Sequence, residues 1–406
     1  MLTVTQALDM IVREVTVLAP EQVALSDALG LVTAEDVISR EDSPPFDKSL
    51  MDGYAVLSSD VANGHREFVV VDEVTAGRTP SCDIFSGEAT RIMTGAPTPR
   101  SADAVVPVEM TELVDEDADR VRILVDAIAP EKNVIRQGTN KRVGEKIVSA
   151  GRLLRAQELA ALAELGGAQV SARHKPVVAV LATGDELVTT DQTPGSGQIR
   201  NSNETMLCGQ VCNAGGVPVA LGIARDNRED LRRHIEEGLT AEILLLSGGV
   251  SAGKLDLVPS ELERACVDQV FHKVRVKPGK PVWFGVLRRG GNSCLVFGLP
   301  GNPVSSMVCF ELFVRTAIRR LTAQFPAIPQ SLTARLTHSH SHKDDRETYF
   351  PAAVEWTVDG PTVRLMKWHG SSDLQSTVDA DAMVVFPPEP KDYSVNDRVE
   401  VVLWNA

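Results

Sequence analysis

The sequence predicts an α/β multidomain protein: a three-layer α/β domain on a parallel or mixed sheet, a β-rich domain before it, a discontinuous helical N-terminal domain and a C-terminal all-β domain. Three observations carry this. A length of 406 residues exceeds a single core. Continuous apolar strands alternate with helices after Lys175. Short β-branched runs separated by Gly, Pro and Asp fill 67–126 and the region beyond Pro326.

In chain order, Val4 to Val17 has helical periodicity, Ser26 to Val37 follows, and a loop rich in proline and acid, Arg40 to Asp52, ends the unit. Phe68 to Val74, Ala104 to Val108 and Val121 to Val125 read as strands. Gly144 to Gly167 returns to helix, with Leu154, Leu159, Leu162 and Leu165 at helical spacing, and rejoins the N-terminal helix. Val177 to Leu181, Val217 to Ile223 and Glu242 to Leu246 are apolar strands. Between them lie helices Asn203 to Ala214, with Asn203 as cap and Gly215 as stop, and Arg228 to Leu239. Such a run predicts a parallel sheet covered on both faces, with ligands at the carboxyl ends of its strands. Strand Ser293 to Phe297 leads into a helix running to Arg320. Leu332 to Leu336, Glu347 to Trp356, Val363 to Trp368, Met383 to Phe386 and Arg398 to Trp404 complete an all-β unit. The expected divisions are 1–43 plus 138–172, 44–137, 173–325 and 326–406.

Composition narrows the function. A net charge of −14 argues against nucleic acid or an anionic membrane as partner. The aromatic content of 4% implies aliphatic cores. No apolar run approaches membrane-spanning length, and Asp9, Arg13 and Glu14 interrupt the first twenty residues, so a cytoplasmic protein is expected. The six cysteines form no CxxC pair and suit a reducing compartment.

Unusual residues fall at the strand ends. Thr183-Gly-Asp-Glu-Leu187 places two adjacent carboxylates at the mouth of the crevice. Ser247-Gly-Gly-Val-Ser-Ala-Gly253 is permissive enough to wrap a phosphate, and Asp256 follows. Glu186 with Asp256 offers the carboxylate pair that Mg²⁺ takes together with phosphate oxygens and water; a turn or helix cap is the alternative for each acid. In Phe271-His-Lys-Val-Arg-Val-Lys-Pro-Gly-Lys-Pro281, strand alternation puts Lys273, Arg275 and Lys277 on one face, and Lys280 follows in the turn. The row suits an anion, or else a solvated edge strand. Gly298-Leu-Pro-Gly-Asn-Pro303 opens a helix, with Asn302 as cap, Pro303 in the first turn and the Ser305 and Ser306 hydroxyls nearby. Free N–H groups there form an anion site, unless the segment is only a tight capped connection. Two upstream turns, Pro44 to Ala55 with Asp52 and Met93-Thr-Gly-Ala-Pro97, have no place fixed by sequence.

Together these segments resemble the molybdopterin molybdenumtransferase family, the MoeA type, also found as the carboxyl-terminal domain of gephyrin-like fusion proteins. The carriers are Pro45-Phe-Asp with Met51-Asp-Gly-Tyr-Ala55, Met93 to Pro97, Thr183 to Leu187, Ser247 to Ser251, Lys277-Pro-Gly-Lys-Pro281 and Gly298 to Pro303. The resemblance implies a molybdopterin-binding-like α/β domain in a homodimer, whose active site lies between the α/β domain of one subunit and the β-rich domain of the other. It implies Mg²⁺-dependent insertion of molybdate into adenylylated molybdopterin, releasing AMP, with a molybdopterin adenylyltransferase as partner. Asp52, Thr94, Glu186, Asp256, Lys273 and Lys277 stand at positions that matter for activity, with Glu186 and Asp256 toward Mg²⁺. Ser247, Gly248, Gly249, Ser251, Lys277, Lys280, Pro300, Gly301, Asn302, Ser305 and Arg346 are implied to hold substrate, and the Ser371-Ser372 turn to reach the anion.

Two positions depart from the family pattern. Lys254 stands where an acid is usual, and Asn140 where Gly138-Thr-Asn140 replaces Gly-Glu-Asp. Both predict weaker or differently arranged Mg²⁺ binding, and they keep open a scaffold that has lost catalysis. A sister adenylyltransferase is the other alternative, because it shares the Ser-Gly-Gly loop. His338, His340 and His342 read as a solvated, Ser-rich loop rather than a metal site, and Asp115 to Asp119 as a solvated turn.

Overall fold

The computed structural model describes residues 1–114, 119–250, 257–290 and 292–404. Its centre is a six-stranded mixed sheet in the order Val217–Ala224, Val177–Thr183, Ile243–Ser247, Asn292–Leu299, Trp283–Arg289, Asp268–His272. The first four strands are parallel, with Ala179 opposite Leu244 and Leu245 opposite Phe297. The last two turn antiparallel through a hairpin.

Every residue of Ile243–Ser247 is buried, as a strand covered on both faces requires. Ile243 and Leu245 point into a core with Phe284, Phe310 and Phe313, while Leu244 and Leu246 face Leu231 and Ile235. That alternation makes the domain three-layered. The helix predicted to run to Arg320 is continuous in its path: Pro303–Cys309, a π-helical turn Phe310–Val314, then Arg315–Leu321.

Helix Val4–Glu14 begins with a reciprocal capping box between Thr3 and Gln6. Its Val4, Ala7 and Ile11 join the core of the α/β layer, whereas Leu154 and Leu162 sit in a separate core with Ala28 and Val170. The expected pairing of these two helical stretches is therefore corrected. The stretch 144–167 is also shorter in helix than its leucine spacing suggests. Gly144 and Gly151 take positive φ, strand Lys146–Val148 lies between them, and the helix is only Ala156–Glu164. Strand Gln169–Arg173 pairs with Glu21–Ala24 and Val32–Thr33, closing a small sheet from distant parts of the chain.

The β-rich region forms a six-stranded sheet in which Gly53–Val56 lies between Ala104–Pro107 and Glu88–Ile92. The last region curls Glu347–Thr357, Gly360–Leu365, Ser331–Leu336, Arg398–Leu403 and Ala382–Phe386 into a closed cycle of pairings. Val276–Lys277, from the α/β segment, adds to it in parallel beside Glu347 and Thr348. No described helix is long and apolar enough to cross a membrane.

Two sequence readings change here. The cation row is not one strand face: the strand ends at His272, and Lys273 takes left-handed backbone at φ 74. Of the three histidines, His338 stays exposed in a bend, but the other two are not in a solvated loop. His340–His342 is a strand paired with Lys391–Tyr393, and both rings stack on Phe386 at 4.7 and 5.3 Å. Burial lowers both histidine pKa values. Residues 115–118 of the acidic run lie outside the described residues.

Candidate active site

A cleft of about 860 Å³ opens at the carboxyl ends of the parallel strands. Three loops meet in it. The first strand delivers Thr183, Gly184 and Glu186, the third delivers Ser247 to Val250, and Asn292–Leu299 delivers Pro300 to Pro303. The loops are tied together by hydrogen bonds. Gly248 N–H donates to the Leu299 carbonyl at 3.1 Å, and the Asn203 amide donates to both Ser247 Oγ and the Gly301 carbonyl at 2.7 Å. Gly249 holds φ 65, and a Cβ there would lie 2.7 Å from Val258 Cγ2 and 2.9 Å from Thr183 Oγ1, so only glycine fits.

Asn203 is thus not the helix cap that its position suggests. The helix is Ser202–Asn213, and Asn201 caps it by accepting from Glu204 N–H. Asn203 is released to face the cleft, where its Oδ1 is buried without a partner among the described residues. Asn302 departs similarly. It occupies the cap position of helix Pro303–Cys309, but its amide donates to Ser371 Oγ at 2.9 Å. Val304 N–H donates to the Ser371 carbonyl, Ser306 N–H to the Asn302 carbonyl, and Ser306 Oγ to the Pro300 carbonyl. The expected cradle of free helix-start donors is therefore partly committed to the turn carrying Ser371 and Ser372.

Charge in the cleft comes from the expected Glu186 and from residues outside the expected set. Glu186, Asp226 and Asp373 supply carboxylates, and Arg200 lines the wall while its Nε donates to the Gln192 carbonyl. Lys273, Lys277, Lys280, Ser305 and Arg346 do not line it. Ser305 is buried within the helix. Lys277 and Arg346 converge instead on Asp344, at 2.8 and 3.1 Å. Burial would raise the Asp344 pKa, but hydrogen bonds from Lys277 and Arg346 outweigh it and hold the carboxyl below its usual range. Arg275 donates to the Asp345 carbonyl.

In the β-rich region the structure brings two expected residues together. Thr94 donates to Asp52 Oδ1 through both its N–H, at 2.6 Å, and its hydroxyl, at 2.7 Å. These bonds lower the Asp52 pKa, the backbone bond most. Both residues are exposed, and neither lines the cleft of its own chain. Asn140 is exposed, its N–H donating to the Ser43 carbonyl. Ser251, Lys254 and Asp256 lie outside the described residues.

Family models match along most of the chain: the MoeA N-terminal region (domain I and II) at 2–166, a probable molybdopterin binding domain at 179–320 and the MoeA C-terminal region (domain IV) at 333–404. A molybdopterin molybdenumtransferase of Bacillus subtilis (strain 168) is 33% identical over 390 residues, 94% of this chain and 89% of that one. The chain belongs to the MoeA family. A second relative of the same name, from Staphylococcus aureus (strain COL), is 30% identical over 412 residues, covering 99% and 96%. The crystal structure of a MoeA protein from Pyrococcus horikosii superposes with a TM-score of 0.81 at 30% identity over 99% of both chains. The MoeA fold thus accounts for the order of mixed sheet, β-rich sheet and closing barrel. Within it, Asn203, Arg200, Asp226 and Asp344 are the residues that sequence reading missed. Asn203 could have been found by noting Asn201 two positions earlier, an equally good cap; Asp344 and Arg200 carried no signal.

Proposed function

We propose that the cleft inserts molybdate into adenylylated molybdopterin with Mg²⁺, forming molybdenum cofactor and releasing AMP. Membership of a transferase family supports the reaction class. The observation that carries the assignment to this cleft is the lock made by Asn203, which fixes the Ser247 loop against the Gly301 loop beside Glu186.

The donor set fits Mg²⁺. Glu186 and Asp226 are two of the carboxylates that line the cleft, matching an ion that takes one or two acids with phosphate oxygens and water. Asp256 remains a proposed third. When bound, the ion offsets charge on the leaving phosphate. The chain's own groups do the rest: Arg200 offsets phosphate charge, the Ser247 hydroxyl and Asn203 Oδ1 meet polar edges of the substrate, and the glycines allow close approach. We read Asp52 and Thr94 as completing the cleft of a second copy in a homodimer, and Lys277, Lys280 and Arg346 as an oxyanion relay beside Pro281, which does line the cleft.

Incubation of the protein with Mg²⁺, molybdate and adenylylated molybdopterin, reading AMP, tests the reaction. Absence of release from folded protein sinks it. Mixing Asp52→Ala with Glu186→Gln tests the shared site: mixed dimers recover activity that neither variant shows alone, and no recovery refutes the crossing.

A further inference from the structure

The loop that presents Glu186 to the cleft is held by an arginine from the neighbouring strand. Strand Val217–Ala224 runs parallel to Val177–Thr183, and the exposed Arg225 follows its last residue. From there Arg225 Nη1 donates to three carbonyls of the loop, those of Gly184 at 3.4 Å, Asp185 at 3.3 Å and Leu187 at 3.0 Å. The remaining carbonyl, that of Glu186 itself, accepts from Ile199 N–H at 2.8 Å. Every carbonyl from Gly184 to Leu187 is thus fixed, three of them by one guanidinium nitrogen.

The arginine is anchored in its turn. Its backbone N–H donates to Asp230 Oδ2 at 2.8 Å, and Asp230 lies in the first turn of helix Arg228–Gly238, where its own N–H donates to the cap residue Asn227. Asp226, the next residue along, lines the cleft, and its N–H donates to Asp185 Oδ1 at 3.2 Å. Glu186 and Asp226 therefore stand on the two segments that Arg225 joins. Gly184 makes the room that Glu186 needs. A Cβ at that position would meet both carboxylate oxygens of Glu186, Oε1 at 2.7 Å, and its φ of 144 also favours glycine. The carboxylate folds back over the loop backbone, so its place depends on how the carbonyls from 184 to 187 are held.

We infer that Arg225 is a positioning residue that holds the Glu186 carboxylate in place for a divalent cation. The inference rests on the Mg²⁺-dependent reading of the cleft. An exposed arginine in a simple surface ion pair would contribute little. Here the guanidinium instead commits its donors to neutral carbonyls on both sides of Glu186, a task suited to a planar, pre-organised fork that loses little freedom for each bond it forms. Groups that orient a metal-binding side chain in this way are typically worth about 10- to 100-fold in metal affinity or activity. The same guanidinium joins the end of strand Val177–Thr183 to the start of helix Arg228–Gly238, so the cleft wall that carries Glu186 moves as one piece with the segment that carries Asp226.

Two readouts on the full chain test it. By amide hydrogen exchange, Arg225→Met is expected to speed exchange at Ile199, the partner of the Glu186 carbonyl, by about tenfold or more, while helix Arg228–Gly238 keeps its protection because the backbone bond to Asp230 remains. In Mg²⁺ titrations of AMP release, the half-saturating Mg²⁺ concentration rises about 10- to 100-fold with the KM for adenylylated molybdopterin unchanged. Arg225→Lys keeps the charge but not the fork, and falls between the two. In a Glu186→Gln background Arg225→Met adds no further loss, since both changes act through one carboxylate. Unchanged exchange, additive losses, or wild-type Mg²⁺ dependence in Arg225→Lys overturns the proposal. A folded wild-type protein that releases no AMP refutes the transferase reading instead, and Arg225 is then judged by the exchange readout and by Mn²⁺ affinity from electron paramagnetic resonance. If Arg225→Met fails to fold, Arg225→Lys carries both readouts.

Discussion

The cleft and the Asp344 cluster lie on either side of the Lys277 to Pro281 turn, and they are built on opposite principles. The cleft is shaped by glycines, backbone and a neutral amide. The cluster is shaped by full charges, Lys277 and Arg346 sharing the one carboxylate of Asp344. The difference teaches that a row of lysines in a sequence is not a measure of free positive charge. Lys277 reaches its carboxylate because Val276–Lys277 pairs with Glu347 and Thr348, a contact between segments seventy residues apart.

The contrast is broken most severely at the glycines. Gly249→Ala forces a side chain into left-handed backbone and into Val258, at a cost of about 1–3 kcal/mol in strain alone. We expect AMP release to fall by about 100-fold or more with circular dichroism unchanged; activity within threefold would show that the loop is not the reaction wall. Next, Asn203→Ala removes two hydrogen bonds, each worth roughly 0.5–1.5 kcal/mol. Release should drop about 10- to 100-fold, and a variant that loses only thermal stability would place Asn203 outside the reaction.

The other side is probed through pH. The Asp344 pKa is lowered by folding, so its contribution to stability is present above the unfolded value, near 3.9, and is lost as pH falls below it. Asp344→Asn should cost about 1–3 kcal/mol at neutral pH. It should also flatten the acid limb of the melting curve between about pH 4 and pH 2. An unchanged limb would mean that the pair is incidental. The mildest change is Thr94→Val, which keeps the N–H donor and loses the hydroxyl. The Asp52 pKa should move up toward its ordinary value, seen by carboxyl-carbon NMR, with no measurable change in melting temperature.

Strands were legible because burial on both faces leaves a continuous apolar run, as in Ile243–Ser247, and the closing barrel because its alternation is regular. The helix at 144–167 was over-read, since leucine spacing says nothing about two glycines at positive φ. The cleft loops could be located from their glycines. Their hydrogen-bond partners could not. Asn302 was assigned by position to a cap, but Ser371, almost seventy residues later, competes for its amide. The same holds for Asp344, an ordinary acid in a polar stretch until two cations from different segments meet it.

The pairing of Val276–Lys277 beside Glu347 and Thr348 has a practical corollary for building chimeras. The closing barrel cannot be exchanged between relatives as a cassette cut at residue 326, because two residues of its outermost strand are encoded fifty positions upstream. A swap that leaves those two behind would leave the outer edge of Glu347–Thr357 without its neighbour and Asp344 without its lysine.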